Sequence, residues 1–264
     1  MTDILQELCA LRAADAEEGA RAEPADALLA RPEARAPRPA FAAALRRPDG
    51  KLPRVIAELK KASPSKGLIR ADFRPADLAA ALTAGGASAL SVLVEPHRFL
   101  GSSANLALAR SRSPLPLLWK DFVVGEWQIA KAAACGASAV LLIVAALPDA
   151  DLRRLLAFAH DLGLDALVET HDAGEIDRAL AAGARVVGVN SRDLRTFRTD
   201  PEATYGLLAS IPADRVRVAE SGVRTNAEIR LAAAAGADAV LVGEAVMRAP
   251  DPAAALQNLL SPPA

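Results

Sequence analysis

Glu58 and Lys60 stand two residues apart at the end of the apolar run Val55-Ile56-Ala57. In an extended strand, residues i and i+2 share a face, so an acid and a base project together one step before the chain leaves the sheet. Such a pair can move protons. A solvated strand end would show the same pattern with no chemistry attached, and the rest of the chain decides between the two by repeating the arrangement. Further apolar runs end in Leu118-Trp119-Lys120-Asp121-Phe122, Leu167-Val168-Glu169, Gly188-Val189-Asn190-Ser191-Arg192, Val218-Ala219-Glu220-Ser221-Gly222 and Leu241-Val242-Gly243-Glu244. One such ending is expected of any solvated edge. Six converging on one mouth are better explained by a polar active site.

Lysine usage points the same way. Most basic residues are Arg, and the lysines are Lys51, Lys60, Lys61, Lys66, Lys120 and Lys131. Arg is permanently charged, whereas burial can lower a lysine pKa and fit the group for proton transfer. Lysines kept at two strand ends imply a need for ammonium chemistry, while Lys51, Lys61 and Lys131 read as surface residues. Glu58 and Glu169 are expected to hold Lys60 and Lys120 charged, or to act as bases in a low-dielectric mouth. The turns Ser221-Gly222 and Gly243-Glu244 stand where backbone N–H groups can grip phosphate. His97 reads as a loop residue, His160 as a helix-surface residue, and His171, two residues after Glu169, as structural. No His, Cys, Asp or Glu spacing matches a metal site, and no Gly-x-Ser-x-Gly elbow occurs.

These residues need elements to position them. Strand candidates begin near Val55, Ala89, Leu115, Ser138, Asp165, Arg185, Arg217 and Asp238, alternating with Ala/Leu/Arg-rich helical stretches such as 77–83, 149–161 and 225–235. Four helix-to-strand joints share a glycine before alanine, at Gly86, Gly136, Gly183 and Gly236. Glycine just past a helix end takes the left-handed backbone cheaply. Eight strand–helix units over about 210 residues predict a parallel (β/α)8 TIM barrel of the α/β class, its site at the C-terminal strand ends. A doubly wound open sheet is the alternative, but no Gly-x-Gly-x-x-Gly turn follows the first strand and no Walker-type phosphate loop appears.

Residues 1–50 are expected to form an N-terminal helical arm packing on a barrel of residues 51–264. Ile4, Leu5, Leu8 and Leu11 have helical spacing, residues 31–39 form a Pro-interrupted connector, residues 41–46 a short helix, and Pro48-Asp49-Gly50 a turn. A net charge of -1 argues against nucleic-acid binding, and 52% hydrophobic residues leave ample material for a core. Cys9 and Cys135 form no metal or redox motif, which with the acidic N-terminus and the lack of a membrane-length apolar run predicts a cytoplasmic, soluble protein.

The motifs together resemble indole-3-glycerol phosphate synthase. The matching segments are Ile56 to Gly67, Lys120-Asp121-Phe122, Leu167-Val168-Glu169, Gly188 to Leu194, Ala219 to Gly222 and Leu241 to Glu244, in order along the barrel. The first is highly specific; the Glu-Ser-Gly and Val-Gly-Glu turns occur in other phosphate-binding barrels. The resemblance implies ring closure of 1-(2-carboxyphenylamino)-1-deoxyribulose 5-phosphate, with loss of carbon dioxide and water, to indole-3-glycerol phosphate in tryptophan biosynthesis. It implies a small phosphorylated substrate, no cofactor and no metal. With no membrane-length apolar run and no excess of positive charge, no membrane or nucleic-acid partner is expected, and the chain is expected to be a monomer.

By the same match, Lys120 is the general acid at the ribulose carbonyl and Glu169 the base or acid of the dehydration. Glu58, Lys60, Asn190 and Glu220 orient substrate and tune those groups, with Lys60 a second candidate proton donor. Arg192 faces the substrate's anionic groups. Ser63, Ser221, Gly222, Gly243 and Glu244 hold substrate and phosphate, the last through its backbone N–H. Phe99, Phe122, Leu141 and Leu194 pack the anthranilate ring. The arm carries fewer Lys and Arg than the family's, and Val94 and Pro96 replace its common Thr and acidic residues. Two rivals stay open: phosphoribosylanthranilate isomerase, expected to use a cysteine–aspartate pair in place of Glu58, Lys60 and Lys120, and a catalytically silent sugar-phosphate-binding barrel.

Overall fold

The computed structural model describes residues 4–190 and 201–261. Eight parallel strands close on themselves: β1 (Arg54–Leu59), β2 (Ala89–Leu93), β3 (Leu117–Lys120), β4 (Ala139–Ile143), β5 (Asp165–Thr170), β6 (Val186–Asn190), β7 (Val216–Glu220) and β8 (Ala239–Val242). Each pairs with its neighbours in sequence, and β8 returns to β1 with Val55 opposite Val240 and Ala57 opposite Val242. Closure excludes the open sheet.

Helices follow the strands in turn: α5 (Pro75–Ala84), α6 (Ser103–Arg110), α7 (Glu126–Ala134), α8 (Asp149–Asp161), α9 (Ala173–Ala181), α10 (Pro201–Leu208), α11 (Asn226–Ala234), and a final pair α12 (Glu244–Arg248) and α13 (Pro252–Leu260). Local sequence sets their ends. Asp172 caps α9 by accepting the Glu175 N–H, and Thr225 caps α11 in a reciprocal box with Glu228. Gly86, Gly136, Gly183 and Gly236 have φ of 96°, 80°, 90° and 89°, the left-handed turn expected at those joints.

Two apolar layers result. Outward strand positions such as Ala57, Leu90, Val140 and Val168 pack under the helices. Inward positions Ile56, Leu118, Leu141, Leu167, Val218 and Leu241 fill the barrel itself. Burying each such side chain contributes roughly 1.5–3 kcal/mol. Because the strand period is two, the next inward residue after Ile56, Leu118, Leu167 and Val218 is Glu58, Lys120, Glu169 and Glu220 respectively. The site is the top layer of the barrel filling, written in ionisable residues.

Ahead of β1 come α1 (Ile4–Ala22), α2 (Ala25–Leu29), α3 (Pro32–Arg35) and α4 (Phe41–Leu45). The connector expected at residues 31–39 contains helix α3, because Pro32 occupies its first position, where a fixed φ and a missing N–H cost nothing. Phe41 and Leu45 of α4 are fully buried within the interior layer. At this base of the barrel the Ala42 N–H donates to Asp165 at the start of β5 (2.8 Å), and the Arg46 guanidinium donates to the carbonyl of Arg215 just before β7 (2.9 Å). The other end of the arm, α1, lies at the mouth. No described helix is long and apolar enough to cross a membrane.

Candidate active site

The C-terminal strand ends enclose a pocket lined by Glu58, Lys60, Lys120, Glu169, Asn190 and Glu220. Lys120, at the end of β3, reaches across the barrel to Glu169 Oε2 of β5 at 3.1 Å and to Glu220 Oε2 of β7 at 3.6 Å. Lys60 Nζ donates to Glu58 Oε1 at 2.5 Å. The three glutamates are buried, at 3%, 1% and 1% exposure for Glu58, Glu169 and Glu220, so their charges are met by protein rather than by water.

The electrostatics separate the two inner carboxyls. Burial tends to lift Glu169, but the Lys120 ammonium, His171 and the hydrogen bonds from Asn190 and Lys120 outweigh it and hold it well below the usual carboxylate range. Glu220 goes the other way, because burial and the neighbouring Glu169 charge outweigh Lys120. Glu220 is thus the harder of the two to ionise, and its side chain is hydrogen-bonded to Glu169. Two nearby carboxyls with opposed shifts are a recurring sign of divided acid and base roles. Burial pulls Lys120 down, yet Glu169, Glu220 and Glu58 together raise it above the ordinary lysine value. The lowered lysine pKa expected from burial is therefore reversed: three carboxyls around one ammonium keep Lys120 in its acid form.

Backbone detail makes room for these groups. A Cβ on Gly188 would lie 2.1 Å from Glu220 Oε1, so the carboxyl of Glu220 occupies the space of a missing side chain on β6. A Cβ on Gly243 would lie 2.7 Å from Glu58 Oε1 and 3.2 Å from Lys60 Nζ. Ser221 and Gly222 follow β7 in the left-handed region, at φ 65° and 83°. For Ser221 this conformation is strained, as backbones at functional turns often are.

The remaining expected residues fall as follows. Ser63, Ser221, Gly222, Gly243 and Glu244 line the same pocket, as do Phe99, Phe122 and Leu141. Ser63 sits in a small hairpin after β1 (Ala62–Ser63 paired with Gly67–Leu68), its buried Oγ without a hydrogen-bond partner among the described residues. Phe99 and Phe122 stand 6.1 Å apart in a tilted pair. The Glu244 side chain accepts a hydrogen bond from the Arg248 guanidinium (2.9 Å). Arg192 and Leu194 lie outside the described residues.

Several residues at the mouth were not anticipated. Arg12 of α1 grips the buried Asp121 carboxylate with both arms of its guanidinium, at 2.8 Å each, and Asp121 also accepts the Trp119 indole N–H. Asp121 directly follows Lys120, so the arm is tied to the strand end that carries Lys120. Glu95, fully buried after β2, accepts the backbone N–H groups of His97, Arg98 and Phe99 and so shapes the loop that presents the Phe99 ring. Glu95 was legible as one more acid at a strand end; the partner of Asp121, 109 residues away, was not. His171, read as structural, has Nε2 only 3.6 Å from Glu169 Oε1. Among the described residues no cluster of His, Cys, Asp and Glu could hold a metal ion.

A closed parallel barrel with a buried Lys/Glu cluster and flanking turns at its C-terminal mouth defines a (β/α)8 barrel with a candidate active site at its strand ends. Solved structures show the same fold: the tryptophan synthase alpha-subunit of Pyrococcus furiosus, in a mutant form, superposes with a TM-score of 0.62 at 16% identity, covering 80% of this chain and 98% of that one. Orotidine 5′-phosphate decarboxylase from Pyrococcus horikoshii gives 0.59 at 15% identity, covering 78% and 97%.

The family is set by sequence. The family model of indole-3-glycerol phosphate synthase matches residues 5–259. The chain is 48% identical to the indole-3-glycerol phosphate synthase of Acidithiobacillus ferrooxidans over 260 residues, 98% of this chain and 99% of that one. It is 45% identical to that of Albidiferax ferrireducens over 265 residues, 99% of each. The chain belongs to the indole-3-glycerol phosphate synthase family, decarboxylating lyases of tryptophan biosynthesis.

Proposed function

We propose that the mouth carries out the ring closure of 1-(2-carboxyphenylamino)-1-deoxyribulose 5-phosphate to indole-3-glycerol phosphate, with Lys120 as general acid and Glu169 as its proton-accepting partner. The carrying observation is the Lys120 ammonium held at 3.1 Å from Glu169 and 3.6 Å from Glu220, within a pocket walled by Phe99, Phe122 and Leu141.

The reaction balances as follows. The ring carbon bearing the carboxylate attacks the ribulose carbonyl, whose oxygen takes a proton from Lys120. Carbon dioxide leaves, and its bonding electrons restore the aromatic ring. Glu169 removes a proton from the methylene beside nitrogen, and the new hydroxyl leaves as water once a second proton reaches it. Water thus carries one proton from the substrate and one from solvent, the latter replacing the charge lost with the carboxylate. Glu169, ionised by its cationic neighbours, starts as the base. When it takes a proton, the attraction that raises Lys120 weakens, which favours onward transfer.

Binding is divided along the mouth. The phosphate lies against the backbone of Ser221-Gly222 and Gly243-Glu244, with the unpartnered Ser63 hydroxyl reaching the sugar end. Phe99, Phe122 and Leu141 hold the anthranilate ring. A fixed phosphate turns remote binding energy into orientation of the reacting end. Glu58 holds Lys60 as the second donor, while Asn190 and Glu220 position Glu169.

The test supplies that substrate and follows indole fluorescence. Lys120→Ala is expected to lower kcat by about 100-fold to 10,000-fold. Glu169→Gln is expected to lower kcat while leaving KM close to that of the parent, since shape is kept and a proton acceptor removed. Absence of product from the parent enzyme, or unchanged turnover in Lys120→Ala, overturns the assignment.

A further inference from the structure

We propose that His171 is the entry point for the proton that each turnover takes from solvent, delivered through Glu169 to Lys120. This rests on the acid–base reading of Lys120 and Glu169 above.

That reading creates a need the pocket does not meet by itself. One solvent proton must arrive per cycle, yet with substrate seated the mouth is filled and water is displaced from Lys120 and Glu169. A second access route has to reach Glu169 at Oε1, the oxygen that Lys120 does not hold. His171 is one residue beyond the end of β5 and is not among the residues lining the pocket. Its Nε2 points at Glu169 Oε1 from 3.6 Å, and neither atom has a hydrogen-bond partner among the described residues. Two orphaned buried polar atoms facing each other at the edge of a proton-transfer site fit a contact made when a proton passes.

The rest of the ring is held for the task. Glu175 of α9 lies 3.1 Å from His171 Nδ1 and also accepts the His171 backbone N–H at 2.8 Å. With Nδ1–H committed to Glu175, the exchangeable proton is the one on Nε2. The charged groups facing the imidazole are Glu169 on its own strand, Glu175 on α9 and Lys120 on β3. Burial pulls the imidazolium down and Lys120 opposes it, but Glu175 and Glu169 prevail and raise it above the ordinary histidine value. The side chain is 19% exposed although Nε2 itself is buried, so solvent meets the ring at its edge and recharges Nε2 when the imidazole swings outward.

The transfer balances at each atom. Glu169, protonated at Oε2 by the substrate methylene, gives that proton to the hydroxyl, which leaves as water and returns Glu169 to the carboxylate, with Lys120 still neutral from protonating the carbonyl oxygen. Glu169 Oε1 then takes the Nε2 proton of the His171 imidazolium, and the carboxyl hands a proton on to the neutral Lys120 amine, 3.1 Å from Oε2. Glu169 and Lys120 both regain their starting charges, and the neutral imidazole is reprotonated from solvent. The carboxyl bonds shift within Glu169, and no redox partner or added reactant is involved.

The experiment compares the full chain with His171→Ala and His171→Gln, measuring kcat and KM by indole fluorescence across pH, with and without imidazole buffer. The expected result is a fall in kcat of about tenfold or more in both variants with little change in KM. It also includes recovery of His171→Ala in proportion to imidazolium concentration, which a merely structural role would not produce. A kcat within twofold of the parent in both variants, or a loss in both that imidazole does not relieve, overturns the relay. Glu169→Gln in the same assay separates the two layers. If it turns over normally, the acid–base reading itself fails; if it is inactive while the His171 variants match the parent, only the relay fails.

Discussion

Gly188→Ala tests how the barrel filling holds the ionisable layer proposed to do the chemistry. The backbone at Gly188 lacks a positive φ, so alanine is conformationally acceptable there. The added methyl, however, would sit 2.1 Å from Glu220 Oε1, 3.1 Å from Glu220 Cδ and 3.1 Å from Leu167 Cδ1. Ordinary contact begins near 3.4 Å, so the Glu220 oxygen must retreat by roughly 1.3 Å. The carboxyl end is the part able to move, which opens its 3.6 Å approach to Lys120 and releases Glu169 from its neighbour. Overpacking of this kind costs about 1–3 kcal/mol, or a Tm lowered by roughly 2–12 °C for a chain of this size. Misplacement near 1 Å at a catalytic group costs about 100-fold in turnover. The assay pairs thermal unfolding with kcat from indole fluorescence. The double variant Gly188→Ala/Glu220→Ala should regain part of the lost stability, because the clash is gone, without regaining activity. A Gly188→Ala enzyme with kcat within threefold of the parent would refute the reasoning, since Glu220 would then be free to move without consequence.

Two further outcomes follow from the same geometry. Arg12→Ala strips the cation from the buried Asp121 carboxylate, a loss of about 3–5 kcal/mol in thermal or denaturant unfolding; Arg12→Lys recovers only part, lacking the two-pronged grip. Because Glu220 is raised in the folded state, its contribution to stability is present below the unfolded carboxyl pKa and lost as pH rises through its folded value. Glu220→Gln cannot ionise, so its Tm relative to the parent should increase with pH across that window, and a constant Tm difference would contradict the assigned shift.

The inward ionisable layer was legible because strand periodicity is so regular. Once Ile56, Leu118, Leu167 and Val218 are taken as barrel filling, the residues two steps on must face the same axis, and those are Glu58, Lys120, Glu169 and Glu220. Glycines before strands were equally readable, since few other residues accept a φ near 90°. What escaped depended on distance or on sums of charge. Arg12 and Asp121 are separated by 109 residues, and nothing local in either segment names the other. The rise in Lys120 depends on three carboxyls from three strands acting against burial, and no single motif carries that balance. His171 read as structural because its value lies in a 3.6 Å approach that spacing along a strand does not specify.

The arm bears on how the chain assembles. Leu5, Leu8, Phe41 and Leu45 belong to the interior layer, yet their partners lie far downstream: Ala42 meets Asp165 across 123 residues, and Arg47 meets Asp238 across 191. On a ribosome these apolar residues emerge first and find their burial last, after β5 and β8 exist. The arm must therefore wait as an amphipathic, undocked segment until the ring of strands is complete, and its docking becomes a late, long-range event of the kind that slows folding. Clamped at the mouth by Arg12 and at the base by α4, it registers closure of the barrel at both ends at once. A half-made barrel then leaves the Asp121 carboxylate without the Arg12 guanidinium that meets its charge once the arm docks.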